Sequence, residues 1–324
     1  MAAVVKTHEI GRRPMDIDQR DIDWFEKYLN PTEPDKSGIP FKILGYGEIS
    51  SIFQLENYPE VVFKRLPVFP DRQSAQHYRD LYFTYTAHLK QAGIRLPDED
   101  LFITHHSPGR PHVLYLAQAL FKRECLCSQL IHTLDPERIT EMLEEILQAL
   151  HLVWRYNEGT MPGIEIALDA QLSNWVWPME KGKRCLYLID TSTPFLRINN
   201  REQLDVNLLL RSMPFMIRLL IHFINLDEVV ARYYDRRIVF LDMIGNLVKE
   251  QAPELIPLFL DHVNKAVENR FDRNPISRSE VDAYYQKDKL IWTVFSALRR
   301  MDRFVTARIL KKPYEFILPG KVKR

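Results

Sequence analysis

The stretch LDAQLSN, Leu168 to Asn174, decides how this chain is interpreted. It holds an aspartate, Asp169, followed five residues later by an asparagine, Asn174. In a phosphoryl-transfer site, an aspartate can orient or deprotonate the acceptor hydroxyl, and an asparagine oxygen can bind a metal ion that also holds the phosphates. The alternative is an ordinary turn, because Asp and Asn are both common turn formers.

A second acidic residue follows a buried run downstream. Asp190 comes after LYLI, Leu186 to Ile189, and precedes Thr191-Ser192-Thr193-Pro194. Together with the apolar run around Trp175 to Trp177, this run predicts a small hairpin. An aspartate at the end of a buried strand is well placed to bind Mg²⁺ through its oxygens. The alternative is a cap or turn residue ahead of Pro194.

Upstream, residues 41–66 change texture and predict an antiparallel meander. The runs FKILGYG, SIFQLEN and VVFKRLP are rich in β-branched and aromatic residues and are separated by turn residues. Lys64 stands inside the third run, where burying an ammonium without a partner is costly. It is predicted to grip nucleotide phosphates; the alternative is an outward-facing lysine on an edge strand.

The turn between the first two runs reads GYGEISS, Gly45 to Ser51. Glycines let a backbone turn come close to a phosphate and offer its N–H groups. Gly45, Gly47 and Ser50 are therefore candidates for phosphate contact, although a tight hairpin explains the same pattern.

The rest of the chain reads as helices with two further strands, which makes the fold class α+β. Helices are predicted at 21–29, at 74–92 with Gly93 as the cap, and at 136–156. Strands are predicted near 101–104 and 113–118. Further helices are predicted near 204–224, 226–249, 253–269 and 278–310, the last span holding two.

Taken together, GYGEIS, VVFK, LDAQLSNW and LIDTSTP resemble the protein-kinase-like superfamily, in the style of aminoglycoside phosphotransferases and choline kinases. LDAQLSNW, YLIDTSTPF and RYYDRR more closely resemble an uncharacterised bacterial kinase-like family of unknown function, over about residues 40–310. The resemblance implies a two-lobed fold, with a small antiparallel-sheet N-lobe and a larger helical C-lobe. The predicted divisions are an N-terminal extension with a short helix at 1–39, an N-lobe at 40–120, a C-lobe at 121–312 and a basic, solvated tail at 313–324.

The resemblance also implies roles and cofactors. Lys64 would pair with the α- and β-phosphates of ATP, and Asp169 would be the catalytic base. Asn174 and Asp190 would bind Mg²⁺, and the segment Gln118 to Leu120 would be the hinge that meets the adenine.

The sequence departs from the superfamily pattern at several positions. Ala167-Leu168 replaces the pair that usually includes a bracing histidine, and no Ala-Pro-Glu segment follows Asp190. The helix at 74–92 has no glutamate to pair with Lys64; Asp80 is the best acidic candidate there, and Gln76 is a weaker one.

The segment Tyr233 to Arg237, YYDRR, has two interpretations. It forms a surface salt-bridge network, or it has a functional role, either as a wall of the acceptor pocket or as a contact to an anionic substrate through arginine.

Composition excludes several classes. The 324 residues carry 44 Lys and Arg against 43 Asp and Glu, which lacks the basic excess of a nucleic-acid binder. Three cysteines make neither a disulfide framework nor a zinc site. The absence of a signal-peptide pattern and of a long apolar run predicts a cytoplasmic protein without a membrane partner.

The sequence thus predicts an ATP- and Mg²⁺-dependent phosphotransferase that acts on a hydroxyl of an unidentified small molecule. Two alternatives stay open: a nucleotide-binding pseudokinase or scaffold without turnover, and AMP transfer from the same site. The predicted partners are a nucleotide and a small-molecule acceptor. The acceptor's identity and the oligomeric state cannot be read from the sequence.

Overall fold

The computed structural model describes residues 15–31, 33–46, 50–66, 69–104, 112–159, 161–205, 226–268, 274–309 and 317. Within these ranges the N-terminal part is built around one antiparallel sheet and the C-terminal part is mostly helical. The predicted α+β architecture, with an antiparallel-sheet N-terminal part and a larger helical C-terminal part, is confirmed.

The N-terminal sheet has five strands in the order β1-β2-β3-β5-β4, all paired antiparallel. Short runs of β-branched and aromatic residues separated by turns favour this meander. The strands are β1 Phe41–Tyr46, β2 Ser51–Leu55, β3 Val61–Arg65, β4 Glu99–Ile103 and β5 Leu114–Ala119.

One helix packs on each face of this sheet. Helix α1, Gln19–Tyr28, is capped by Asp18 and buries Ile22 and Phe25 against one face. Helix α2, Arg72–Gln91, connects β3 to β4 and packs on the other face, in the larger core. The two helices cover the central strands β3 and β5, which are mostly buried on both sides, whereas β1 at the edge alternates between half-buried and exposed residues.

The pleat of β3 sends neighbouring residues to opposite faces. Phe63 belongs to the aromatic cluster under α1, and Arg65 points the same way. Lys64, between them, points to the other face, where the larger core and the cleft lie. This alternation aims the single lysine of the strand at the candidate site.

The described C-terminal part begins after β5 and combines helices with three small sheets. A hairpin of β7 and β10 follows the Asp169 loop, as predicted, with a second hairpin of β8 and β9 inside it. The elements are α3 Cys127–Leu130, α4 Pro136–Gly159, β6 Ile164–Ile166, β7 Trp175–Val176, β8 Met179–Glu180, β9 Lys183–Arg184, β10 Tyr187–Leu188, β11 Leu196–Ile198, β12 Arg201–Glu202, α5 Leu226–Ala231, α6 Arg236–Lys249, α7 Ile256–Glu268 and α8 Arg278–Phe304.

Several predictions of detail were wrong. The span 226–249 is two helices, because Asp235 caps a new helix by accepting a hydrogen bond from the Ile238 N–H. The span 278–310 was expected to hold two helices, yet it is one long helix followed by a π-helical turn over Val305–Ile309. A capping box of Ser277 and Glu280 begins that helix, and no Gly or Pro interrupts it. The three-stranded sheet β12-β11-β6 was not predicted.

Other predictions have partial outcomes. The helix predicted at 204–224 and the bounds of the basic tail fall almost entirely outside the described residues. Ile317 is the described part of the tail: it is buried in the cluster under α1, and its carbonyl accepts a hydrogen bond from the Ser51 hydroxyl. The tail is therefore not solvated throughout. No helix in the described part of the chain combines the length and apolarity that crossing a membrane requires.

Candidate functional site

Lys64 reaches across the cleft to the segment that carries Asp190. Its ammonium donates to the Ile189 carbonyl at 2.7 Å and to Asp190 Oδ1 at 3.2 Å. The lysine is buried, so the ion pair answers the cost of placing a charge inside a strand. Two residues that are 126 positions apart in sequence therefore meet in this cleft.

Asp190 uses one oxygen for structure and leaves the other available. Oδ1 accepts hydrogen bonds from Lys64 and from both the N–H and the hydroxyl of Ser192. Among the described residues, Oδ2 accepts none, and the side chain is 43% exposed. Burial would raise the pKa of this carboxyl, but Lys64 and the Ser192 hydrogen bonds outweigh that effect and lower the pKa. Asp190 is therefore a carboxylate with an open coordination position.

Asn174 joins the two loops that carry the acidic residues. It ends a short 3-10 turn, Leu172–Asn174, and is buried. Its side-chain Nδ2 donates to the Asp169 backbone carbonyl at 3.3 Å, and its backbone carbonyl accepts from the Ile189 N–H at 2.9 Å. The predicted Asn and Asp ligands therefore lie on directly hydrogen-bonded segments.

Asp169 is half-buried at the start of the same loop. Its Oδ1 accepts a hydrogen bond from the Gln171 N–H at 3.1 Å, which holds the carboxylate in an Asx-type turn. The turn interpretation and the catalytic interpretation are therefore compatible, because the local hydrogen bond orients the side chain.

The glycine turn is described in part. Gly45 lies in β1 opposite Ile52, next to an irregularity in the pairing. A Cβ at Gly45 would meet Ile52 at an ordinary contact distance of 3.7 Å, so packing alone does not require glycine there. Ser50 is half-buried just before β2. Gly47 lies outside the described residues, and phosphate contact by this turn stays a prediction.

The predicted hinge is at the end of β5. The Gln118 side chain is buried and donates to Glu99 and Thr191, behind the cleft. The Leu120 N–H already donates to the Glu60 carbonyl, and the Ala119 N–H to the Asp98 carbonyl. An adenine contact at these two residues would therefore rely on their carbonyl groups.

Asp80 does not reach Lys64 in this structure. It is exposed on the outer face of α2, where its carboxylate accepts a hydrogen bond from Gln76. The face of α2 that points to the cleft carries Tyr78 and Tyr82, and a residue two positions from either lies on the other side of the helix. The expectation that Asp80 pairs with Lys64 is corrected accordingly.

A buried polar cluster that was not predicted from the sequence lies behind Lys64. Tyr82 donates to Glu99 Oε2 at 2.6 Å and lies 2.8 Å from the Thr191 hydroxyl. Burial foremost raises the pKa of Glu99, and the ammonium groups of Lys90 and Lys64 counteract this effect in part. The signal in the sequence was a helix face made of tyrosines instead of leucines, since buried phenols need partners.

A small cavity borders Asp169 on the C-terminal side. It is partly open to solvent and is lined by the loop residues Leu168 to Ala170 and by Arg232, Tyr233, Asp242 and Tyr284, among others. Asp242 is buried and accepts hydrogen bonds from Tyr284, Gln171 and Asn246. The ion-pair interpretation of the YYDRR segment holds for Arg236 and Arg237, which pair with Glu158 and Glu280. Tyr233 lines the cavity, and its contact with an acceptor stays a prediction.

The donor set fits Mg²⁺ held jointly with a nucleotide. In the part of the chain that the structure describes, no three His, Cys, Asp or Glu side chains gather into a closed metal cage. Mg²⁺ usually takes one or two protein carboxylates and completes its shell with phosphates and water. Asp190, with its open Oδ2, and the nearby Asn174 match that requirement.

Comparisons with solved structures found kinase-like neighbours at low similarity. A structure titled WaaP in complex with acyl carrier protein is 12% identical, with a TM-score of 0.32, covering 77% of this chain and 97% of that one. The GDP complex of a point mutant of aminoglycoside 2'-phosphotransferase-IIIa is 13% identical, with a TM-score of 0.28, covering 77% and 98%. The wild-type GDP complex gives 13% identity, a TM-score of 0.25, and coverage of 76% and 99%.

Comparison with curated proteins found no match. Comparison with protein families matched residues 33–303 to one family. Because this match spans more than half of the chain, the protein belongs to the family of unknown function DUF6206.

Proposed function

We propose that this protein is an ATP- and Mg²⁺-dependent phosphotransferase that acts on a hydroxyl group of a small molecule. The observation that carries the proposal is the contact of Lys64 with Asp190, on a segment hydrogen-bonded to the Asn174 loop. Phosphoryl transfer depends mainly on positioning and on neutralising charge, so a lysine, two side chains that bind a metal ion and a base can suffice.

Each residue has a role in this proposal. Lys64 would turn partly away from Asp190 and contact the α- and β-phosphates. Asp190 Oδ2 and the Asn174 side chain would hold Mg²⁺, which neutralises charge on the phosphates. Asp169 would accept the proton of the acceptor hydroxyl, and the adjoining cavity would receive part of the acceptor.

The size of that cavity bears on the acceptor. The pocket is small and partly open to solvent, and apolar side chains such as Leu168 and Val239 share its lining with Asp169 and Arg232. We therefore expect it to contact only one end of an acceptor, the end whose hydroxyl lies next to Asp169.

The test uses the purified full-length chain. Titration calorimetry with millimolar ATP, with and without Mg²⁺, measures nucleotide binding, and a panel of hydroxylated metabolites measures transfer by mass spectrometry. We expect binding that Mg²⁺ strengthens, and turnover that Asp169→Asn reduces by at least about 100-fold, the lower end of general-base effects. Asp261→Asn, which changes an exposed aspartate on α7, is the matched control.

The outcomes separate the alternatives. No nucleotide binding would refute the proposal. Binding without transfer to any acceptor would favour a pseudokinase, and a mass gain of AMP instead of phosphate would indicate the reversed use of the site.

A further inference from the structure

Three tyrosines lie on one face of α2 and point towards the catalytic segments. Tyr78, Tyr82 and Tyr85 have the i, i+4, i+7 spacing that places residues on one side of a helix. All three are buried. A buried phenol needs a hydrogen-bond partner, and each of these has one outside its own helix.

The partners flank Asp169, the predicted base, and Asp190, the predicted metal ligand. The Tyr85 hydroxyl donates to the Ala167 carbonyl at 2.7 Å, two residues before Asp169. The Tyr78 hydroxyl donates to the Ser192 carbonyl, two residues after Asp190. One helix face therefore contacts the backbone of both loops.

Tyr82, the middle residue, connects this face to the sheet. Its single proton goes to Glu99 Oε2, so it accepts from the Thr191 hydroxyl in return. Gln118 donates to both Glu99 and Thr191, at 3.3 and 3.4 Å. Strands β4 and β5, helix α2 and the segment after Asp190 are thereby joined through one buried network.

The network consists mostly of uncharged donors. Burial, and for Tyr82 the neighbouring Glu99, raises the pKa of these phenols well above the ordinary value, so they keep the protons that they donate. Glu99 is the acidic residue of this network among the described residues. Its Oε1 accepts no hydrogen bond and lies 3.7 Å from the Lys90 ammonium.

We propose that Tyr78, Tyr82 and Tyr85 are positioning residues, which set the Asp190 and Asp169 segments against the sheet that carries Lys64. Tyr78 and Tyr82, with Glu99, fix the segment of the metal-binding aspartate, and Tyr85 fixes the loop of the base. The assignment rests on the proposed function for its catalytic meaning. The alignment itself is a property of the fold and can be measured without catalysis.

The experiment compares Tyr78→Phe, Tyr82→Phe and Tyr85→Phe in the full chain. Each removes one hydroxyl and keeps the ring, so the core keeps its packing. Tyr156→Phe is the matched control, because Tyr156 is buried and its hydroxyl bonds His88 and Gln91 of α2, away from the aspartates.

Two readouts are needed. Hydrogen–deuterium exchange of peptides covering 165–175 and 186–195 measures the alignment of the loops. Titration of ATP with and without Mg²⁺ measures the gain in affinity that the metal provides. We expect Tyr78→Phe and Tyr82→Phe to speed exchange at 186–195 and to reduce the Mg²⁺-dependent gain about three- to tenfold, the range for one net hydrogen bond.

Tyr85→Phe should behave differently. It should speed exchange at 165–175 and lower turnover by a similar factor, with the Mg²⁺-dependent affinity unchanged. Tyr156→Phe should alter neither readout at these segments.

The possible results keep the two proposals apart. If the wild-type protein binds no nucleotide, the proposed function fails, and the exchange data still judge the positioning role. If the wild type binds ATP·Mg²⁺ while the three variants match Tyr156→Phe in both readouts, the positioning role is refuted and the function stands. Should a variant unfold, the exchange of the remaining two decides in the same way.

Discussion

Lys64 and Arg65 are neighbours on one strand, both are buried, and each pairs with an acid across a face of the sheet. Arg65 donates two parallel hydrogen bonds to Glu26 of α1, each at 2.8 Å, and Tyr115 donates a third to the same carboxylate. The two side chains of that pair are 5% and 8% exposed. Lys64 is 7% exposed, but its partner Asp190 is 43% exposed.

The difference separates a pair that is closed off from solvent from a pair with one open side. A bidentate, dry pair with extra hydrogen bonds satisfies both charges. Lys64 instead makes one 3.2 Å contact to Asp190 beside its 2.7 Å hydrogen bond to the Ile189 carbonyl, and the half-exposed carboxylate keeps one oxygen that accepts no hydrogen bond among the described residues. The same substitution at the two positions should therefore have different consequences.

The largest effect is expected for Arg65→Met. The change leaves the Glu26 carboxylate buried without its main partner, and breaking such a pair costs about 3–5 kcal/mol of unfolding free energy. Urea denaturation followed by circular dichroism measures the loss. A loss below about 1 kcal/mol, the range of exposed pairs, would contradict the view that this pair holds the sheet face together.

A smaller effect on stability, and a specific one on binding, is expected for Lys64→Met. The apolar stem is kept and Asp190 can turn to water, so the unfolding free energy should change by less than about 1 kcal/mol. Affinity for ATP should fall about 10- to 100-fold, the value of one charged hydrogen bond. Calorimetry beside the denaturation curve tests both, and a stability loss as large as that of Arg65→Met would remove the contrast.

The smallest effect is a change in pH dependence caused by Glu99→Gln. Burial, as the main cause, raises the pKa of Glu99 above its ordinary 4.5, so the folded protein holds this proton more tightly than the unfolded chain. The wild-type stability that depends on this group is therefore complete below 4.5 and is lost as pH rises through the folded pKa.

The variant lacks this loss. Its unfolding free energy relative to wild type should increase with pH above the ordinary pKa of the carboxyl and then level off. Denaturation curves at several pH values measure the difference, with Glu124→Gln, a change in the 3-10 turn before α3, as the control. Parallel curves for wild type and Glu99→Gln would show that burial does not govern this carboxyl.

Much of the fold could be predicted because the relevant signals are local. Alternating apolar residues marked the strands, and Lys64 inside an apolar run indicated that a buried partner exists. The meeting of Lys64 with Asp190 followed from the order of four motifs, which constrains the topology. The ends of elements were less accurate, since caps such as Asp235 are set by a single hydrogen bond.

Other features depend on tertiary contacts that spacing does not encode. Nothing local distinguishes Glu99, at the start of β4, from Asp98, the exposed acid just before it in the sequence PDEDL. Its burial results from the packing of α2 over β4 and β5. Asp80 was preferred because it is an acid on the right helix, and the helical phase then placed it outside. Tyrosines at the inward phase carried the information that was overlooked.

The first helix has a practical consequence for anyone who trims the protein. The family match begins at residue 33, whereas α1 covers Gln19–Tyr28. A recombinant fragment that begins at the family boundary would lack Phe25 and its edge-on ring contacts with Phe41, Phe53 and Tyr115. It would also lack Glu26, the acid that pairs with the Arg65 guanidinium. An exposed aromatic sheet face promotes aggregation. Recombinant expression should therefore start ahead of Asp18, and poor yield of shorter fragments would reflect the loss of α1.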